Sequence, residues 1–326
     1  MATRLFRSAL APRLQAFWET RQAGNGGRDV ASHKILMYLD RFLVGELRPG
    51  QPITREIVER FNATMTHLSP GTRINRLSVM RQFCLYLSHF DPRTCLIYRT
   101  FLPRRTRPAP YIYTRDEMNR IMAAARRLGP PGSLRPLVIS TLIGLLYATG
   151  LRIGEALNLT LADINLKRRL IEVREGKFRK SRYVPLSVST ASHLGVYLAR
   201  RRRAGFSTAP IAYVFLNVIG TKHGHPGFET AFLEVLRDLG IRGPKGERGP
   251  RIHDLRHTFA VNRLTAWYRE GVTLGAKLPL LSTYLGHSTV TGTEVYLHAT
   301  AELLESAGRR FHDRFSLPLR KRHDKD

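Results

Sequence analysis

Towards its C-terminal end the chain reads LGHSTVTGTEVYLHA, which sets His287 nine residues before Tyr296 with small and hydroxylated residues between them. Three other stretches carry groups that could work with this pair. YATGLRIGEALNL (147–159) places Arg152 just past a helix end, behind a glycine that permits a tight turn, with Glu155 three residues on. EGKFRKSRYVPL (175–186) places Lys177 at the tip of a turn. RIHDLRHTFA (251–260) places His253 and Arg256 three residues apart, hence on one face of a helix. Singly, each of these is most often a solvated surface residue. Together they suit phosphate chemistry. Arginines grip phosphate oxygens as bidentate forks. A tyrosine oxygen can attack as a covalent nucleophile, and a lysine or histidine can protonate a departing oxygen.

Neither a metal nor a cofactor is expected. A zinc-protease helix needs His, Glu and then His four residues on, whereas this one offers His253, Arg256 and His257 with no Glu between them. The pair in HGH (223–225) is isolated in a loop. The arginines must therefore supply the charge stabilisation that Mg²⁺ would otherwise give. Two cysteines, Cys84 and Cys95, form neither a disulfide framework nor a CxxC knuckle and fit a reducing, cytoplasmic setting.

The bulk composition names the partner. Lys and Arg number 53 against 25 Asp and Glu, a net charge of +28, which points towards a polyanion. The excess is shared, +11 over residues 1–110 and +17 over 111–326, so both parts are suited to meeting phosphate. Hydrophobic residues make up 43% of the 326, enough for a proper core. The longest apolar run, 137–148, is interrupted by Ser140 and Thr141 and falls short of the ~20 residues that span a bilayer. It predicts a buried helix. The arginine-rich N-terminus does not read as a signal peptide, and a soluble protein with no membrane contact is expected.

The elements that would position these groups are mostly helices. SHKILMYLDRFLVGEL, ITREIVERFNATMTHL and GTRINRLSVMRQFCLYLSHF repeat apolar residues every three to four positions, with Thr54 expected to cap the second of them. FLPRRTRPAPYIYT (101–114) interleaves prolines with arginines and reads as a stiff basic linker. TRDE (114–117) is a capping box that opens a new helix, and the buried helix ends at Gly150. Alternation between 164 and 186 predicts a small antiparallel hairpin turning near Gly176. The remainder reads as helical apart from the loop GPKGERGP (243–250). The domain division is then 1–102 helical, 103–113 linker, 114–315 mostly helical with one small sheet, and 316–326 a basic tail.

Four of these motifs, ATGLRIGEAL, GKFRKSRYVPL, HDLRHTFA and LGHSTVTGTEVYLH, occur in an order and at a spacing that resemble the tyrosine recombinases of the phage integrase family. The likeness runs from about residue 113 to 301. It implies a mainly α fold with a small antiparallel β-sheet, built from a helical, SAM-like core-binding domain and a catalytic domain. It also implies that Arg152 and Arg256, joined by His287, clamp the scissile phosphate and that Tyr296 attacks phosphorus. That step leaves a 3′-phosphotyrosine and a 5′-hydroxyl. By the same likeness Lys177 is the general acid, His253 assists proton transfer or phosphate binding, and Glu155 braces the site. The implied partners are double-stranded DNA with paired inverted half-sites and three further copies of the chain in a tetramer, with a partner recombinase as an option. Integration, excision or transposition of a mobile element would be the setting. The segment AELLESAGRRFHDRF (301–315) has an amphipathic period and, by resemblance, would dock on a neighbouring protomer.

Two features depart from the family pattern. Phe178 stands where relatives often carry glycine, so Lys180 is an alternative general acid, and the stretch from Arg269 to Leu281 is longer than in many relatives. Four arginines in ARRRRAG (199–205) suit either a solvated helix end or a DNA contact. Two competing readings remain open. One is a type IB topoisomerase, which resembles the family in its chemistry; the other is a DNA-binding protein without catalysis.

Overall fold

A computed structural model describes residues 6–24, 30–101, 109–130, 132–174, 181–286, 293 and 296. The chain divides into two compact units, Met1–Pro108 and Ala109–Asp326.

The first unit carries four α-helices, α1 (Ala11–Gly24), α2 (Val30–Glu46), α3 (Arg55–Ala63) and α4 (Pro70–Ser88), with irregular stretches between them and no strand among its described residues. Leu36, Leu39 and Leu43 of α2 meet Phe61 of α3 and Leu77, Met80, Phe83 and Cys84 of α4 in one fully buried core. These are the three-to-four spacings visible in the sequence. Ser69 caps α4 by accepting from the Thr72 N–H, and Pro70 occupies the first turn, where its missing N–H is harmless. Thr54 stands at the cap position of α3, but its hydroxyl accepts no N–H from the helix. The expected cap is thus present in position and absent as a bond. Both cysteines are free thiols.

The second unit contains α5 (Arg115–Ala125), α6 (Arg135–Thr149), α7 (Ile153–Asn158), β1 (Ile164–Asn165), β2 (Leu170–Val173), β3 (Arg182–Pro185), α8 (Val188–Arg203), α9 (His225–Asp238), α10 (Ile252–Arg269) and α11 (Leu274–Leu285). The fold is mainly α with a three-stranded antiparallel sheet in the order β1-β2-β3. α6 lies at the centre, against α5, α8, α9 and α10. Such a helix must be apolar on every side, and Val138, Ile139, Leu142, Ile143, Leu145 and Leu146 are all buried. The Thr114–Glu117 capping box is formed, with the Glu117 N–H donating to Thr114 Oγ1 at 3.1 Å and the Thr114 N–H donating to the Glu117 carboxylate at 2.8 Å.

The structure differs from the sequence reading at four places. Residues 109–113, expected in the linker, fall in the second unit. Tyr113 is 2% exposed and its N–H donates to Thr258 Oγ1 at 3.0 Å, so an aromatic anchor prevails over the proline signal. The sheet has a third strand, β1, only two residues long and invisible to an alternation test. Residues 204–224 are irregular rather than helical, with Gly205 and Gly220 at positive φ and isolated bridges from Thr160 to Tyr213 and from Leu216 to Lys222. Within ARRRRAG, Arg201 is buried and donates to the carbonyls of Ser207 and Tyr213, so it holds the chain after α8 and is not a DNA contact; Arg200, Arg202 and Arg203 are exposed. The stretch after Arg269 is a short turn followed by α11. The hairpin tip near Gly176, the 301–315 segment and the 316–326 tail lie outside the described residues. Among the described residues no helix is long and apolar enough to cross a membrane.

Candidate active site

The site begins at the end of α6. Gly150 closes that helix at φ +64°, and a Cβ on it would lie 2.5 Å from Phe259 Cδ1. Only glycine suits both the left-handed backbone and the close approach. The chain can then turn at once, and Arg152 becomes the residue that opens α7. Its N–H and Nη1 donate to the two oxygens of Glu155 at 3.0 and 2.8 Å, and its Nη2 donates to the Gly286 carbonyl at 2.8 Å.

Arg256, on α10, is 1% exposed. Its Nη1 donates to the Gly150 carbonyl at 2.7 Å and its Nη2 to the Leu285 carbonyl at 2.5 Å, while its buried Nε has no acceptor among the described residues. Burial, and then the charge of Arg152, pull the Arg256 pKa down to about 10. A third guanidinium completes the group. Arg182 of β3 donates from Nε to the Tyr284 carbonyl at 2.7 Å and from both terminal nitrogens to Glu155 at 3.2 and 2.8 Å.

Three arginines thus bind three consecutive carbonyls, those of Tyr284, Leu285 and Gly286, at the end of α11. The unpaired carbonyls of a helix C-terminus carry partial negative charge and attract cations. Gly286, at φ +67°, leaves room for this arrangement, since a Cβ there would lie 3.2 Å from an Arg182 nitrogen and 3.4 Å from one of Arg152. Burial opposes the charge on Glu155, yet the hydrogen bonds and charges of Arg182 and Arg152 hold its carboxyl down at about 2. Three guanidinium groups against one carboxylate leave a surplus of two positive charges.

Tyr296 is 2% exposed and packs with Ala260, Leu264, Leu281 and Leu285 of α10 and α11. Its hydroxyl lies 3.0 Å from Nδ1 of His257, the residue following Arg256. Burial pushes the phenol pKa up, against the pull of Arg256 and Arg152. The His253 ring meets His257 edge-on at 4.7 Å. Desolvation and the charges of Arg256, Arg251 and Arg152 lower the His253 pKa to about 4. Since this side chain is exposed, the three cations are the weightier cause. A bound phosphate would offset them and bring the imidazole pKa back up towards its ordinary value.

Of the residues picked out by sequence, Arg152, Glu155, His253, Arg256 and Tyr296 come together here. Lys177, Lys180 and His287 lie outside the described residues. Sequence reasoning missed Arg182 and His257 as members. Arg182 left a trace, because it shares the inward side of β3 with buried Val184, where an apolar residue is the norm. His257 left one too, lying one helical turn beyond His253. Among the described residues no group of three His, Cys, Asp or Glu side chains could hold a metal ion.

A family model described as the phage integrase family matches residues 112–302. The chain is 37% identical to a Sinorhizobium fredii protein named integrase/recombinase y4rB, over 81% of this chain and 85% of that one. It is 28% identical to tyrosine recombinase XerD of Agrobacterium fabrum, over 90% of this chain and 91% of that one. In fold it is similar to the Tn1549 transposon integrase in complex with transposon right-end DNA, with a TM-score of 0.68 at 17% identity, covering 94% of this chain and 99% of that one.

Proposed function

This chain belongs to the phage integrase family, the tyrosine recombinases, and from that premise we propose that it cuts and rejoins DNA at a specific site through a 3′-phosphotyrosyl intermediate on Tyr296. The observation that carries the reading is Arg256. It is a buried cation that donates to two neutral carbonyls and meets the hydroxyl of a buried tyrosine, with no carboxylate paired to it among the described residues. Its next neighbour in the chain holds that tyrosine. Buried charges are normally paired, and a phosphate completes this one.

In the proposed step Arg152 and Arg256, with His287, hold the non-bridging oxygens. The Tyr296 oxygen forms a bond to phosphorus while the bond to the 5′ oxygen breaks. Lys177, or Lys180 in its place, donates a proton to the departing 5′ oxygen, and the phenolic proton passes to the imidazole of His257, 3.0 Å away, with His253 assisting from beside that ring. The phosphorane-like transition state carries two negative charges, equal to the surplus of the arginine group. Groups fixed in advance around such charge act most strongly in a buried site. The ester energy stays in the protein–DNA bond, so a second 5′-hydroxyl reverses the step without ATP. Glu155 braces Arg152 and does not touch the substrate.

The partner is double-stranded DNA with paired inverted half-sites, bound by both basic units. Exchange of two strands from each of two duplexes calls for four protomers. The setting proposed is integration, excision or transposition of a mobile element, a reading supported by the integrase/recombinase name of the Sinorhizobium fredii relative. The test is to incubate the full chain with a library of random duplexes, denature it, and sequence the DNA that stays attached. An enriched half-site with free 5′-hydroxyl ends is expected. DNA that is bound but never covalently held would point to a binding protein instead.

A further inference from the structure

In the step just proposed Arg182 contributes charge but is assigned no contact with the phosphate, and all three of its nitrogens are held by the protein. We propose that Arg182 is a positioning residue, which locks the phosphate-binding arginine Arg152 to the end of α11 through Glu155. The proposal rests on the recombinase reading of the site.

Each of the three nitrogens of Arg182 is engaged, Nε with the Tyr284 carbonyl at 2.7 Å and the other two with the Glu155 carboxylate at 3.2 and 2.8 Å. The side chain is 13% exposed and its partner carboxylate 8%. Glu155 in turn accepts from Arg152, and Arg152 donates to Gly286, two residues beyond Tyr284. The contacts close into a ring: Arg182, Glu155, Arg152, Gly286 and back along the α11 terminus to Tyr284. A ring fixes its members more tightly than a chain of the same bonds, because no member can swing without breaking two contacts.

The ring also joins the segments that bear the chemistry. Arg182 lies five residues after Lys177 on the strand leaving that hairpin, and Gly286 immediately precedes His287. β3, α7 and the α11 terminus are therefore held in one register by a single side chain. Its position makes a purely structural role a poor explanation. Arg182 shares a face of β3 with buried Val184, and an apolar residue there would stabilise the fold at least as well, since a buried ion pair roughly breaks even against well-packed hydrophobic residues. Lysine could not replace it, because a point charge cannot span a carbonyl and both carboxylate oxygens in one plane. The charged groups facing Glu155 are Arg152 at the head of α7, Arg182 from β3 and Arg256 from α10, with α11 contributing backbone carbonyls.

The test compares the full-length wild type with Arg182→Gln and Arg182→Lys. The first readout needs no DNA: the Glu155 carboxyl is titrated by carbon-13 NMR and assigned by its loss in Glu155→Gln. In the wild type it should stay ionised down to about pH 2, and in Arg182→Gln it should take up its proton at least tenfold more readily. The second readout is the single-turnover rate of covalent attachment to the duplex selected from the library. With Arg152 released by about an ångström, the rate at neutral pH should fall about 10²-fold. Affinity for the same duplex should change less than about threefold, on the view that phosphate contacts elsewhere dominate it. The acid limb of the rate profile should move to higher pH. Arg182→Lys should restore the titration in part and the rate much less.

An unchanged Glu155 titration overturns the proposal, and so does an Arg182→Gln rate equal to wild type. A parallel loss of rate and affinity also overturns it, by making Arg182 a direct phosphate ligand. Should Arg182→Gln fail to fold, judged by Trp267 fluorescence, the Arg182→Lys rate decides: a wild-type rate overturns the proposal and a loss at constant affinity supports it. If the wild type attaches to no DNA, the recombinase reading falls and the titration alone still decides whether Arg182 governs Glu155.

Discussion

Replacing Glu155 by glutamine keeps the shape of the side chain and removes the one negative charge among three guanidinium groups. The expected loss follows from the folded carboxyl. Its pKa stands at about 2 against an ordinary 4.5, and each tenfold step is worth ~1.4 kcal/mol, which gives roughly 3 kcal/mol. Breaking one partner out of a buried ion pair costs about 3–5 kcal/mol by mutational experience, so the two routes agree. The sign follows from linkage. A carboxyl whose folded pKa is depressed stabilises the fold fully above 4.5 and loses that contribution as the pH falls towards 2. The wild type should therefore exceed Glu155→Gln by roughly 3 kcal/mol at pH 7, and by less than about half of that at pH 3. The chain has two tryptophans, Trp18 and Trp267, so in a Trp18→Phe background urea unfolding followed by fluorescence reports the second unit alone. The difference between the two proteins cancels the other carboxylates. A gap below about 1 kcal/mol at pH 7, or one that stays constant down to pH 3, would refute the account of Glu155 as the charge holding the arginines together.

Gly150→Ala should destabilise the second unit by about 2–5 kcal/mol, from left-handed strain and the clash with Phe259, lowering its melting temperature by roughly 5–15 °C. Gly154→Ala, with nothing within 4 Å of its Cβ, should stay within about 1 kcal/mol of wild type; calorimetry on both checks the pair. His257→Phe keeps a ring beside Tyr296 but removes the acceptor at 3.0 Å, so Tyr296 should become more open to nitration by tetranitromethane, read by mass spectrometry. Equal nitration in both proteins would show that the His257 contact does not hold the tyrosine. Binding to the selected duplex should fall about 10³–10⁵-fold between 50 and 200 mM salt if six to ten phosphates are contacted; a flat response would mean that the net charge of +28 serves something else.

The parts of the molecule legible in the sequence are those whose signal is local. α4 and α2 announce themselves by spacing, α6 by its long apolar run, interrupted at Ser140 and Thr141, and α5 by a capping box. Arg152, Glu155, His253, Arg256 and Tyr296 stand out in the sequence because their motifs are short. What tied them together was not legible, because the contacts span 27 residues between Arg182 and Glu155, 102 between Arg182 and Tyr284, and 134 between Arg152 and Gly286. No periodicity test reaches that far. β1 and residues 204–224 were missed for another reason. A two-residue strand has no period, and loops held by isolated bridges and positive-φ glycines look like any polar stretch between helices. Arg201 shows the opposite error, where a run of arginines concealed one that bonds inward.

The central claim is that Tyr296 is the residue that joins DNA. The most direct measurement digests the denatured protein–DNA adduct with nuclease and protease and sequences the peptide that carries the nucleotide. The account predicts a 3′-linked nucleotide on Tyr296, and no adduct from Tyr296→Phe although that variant still binds the selected duplex. A nucleotide on another residue, or an adduct of undiminished yield from Tyr296→Phe, would contradict it.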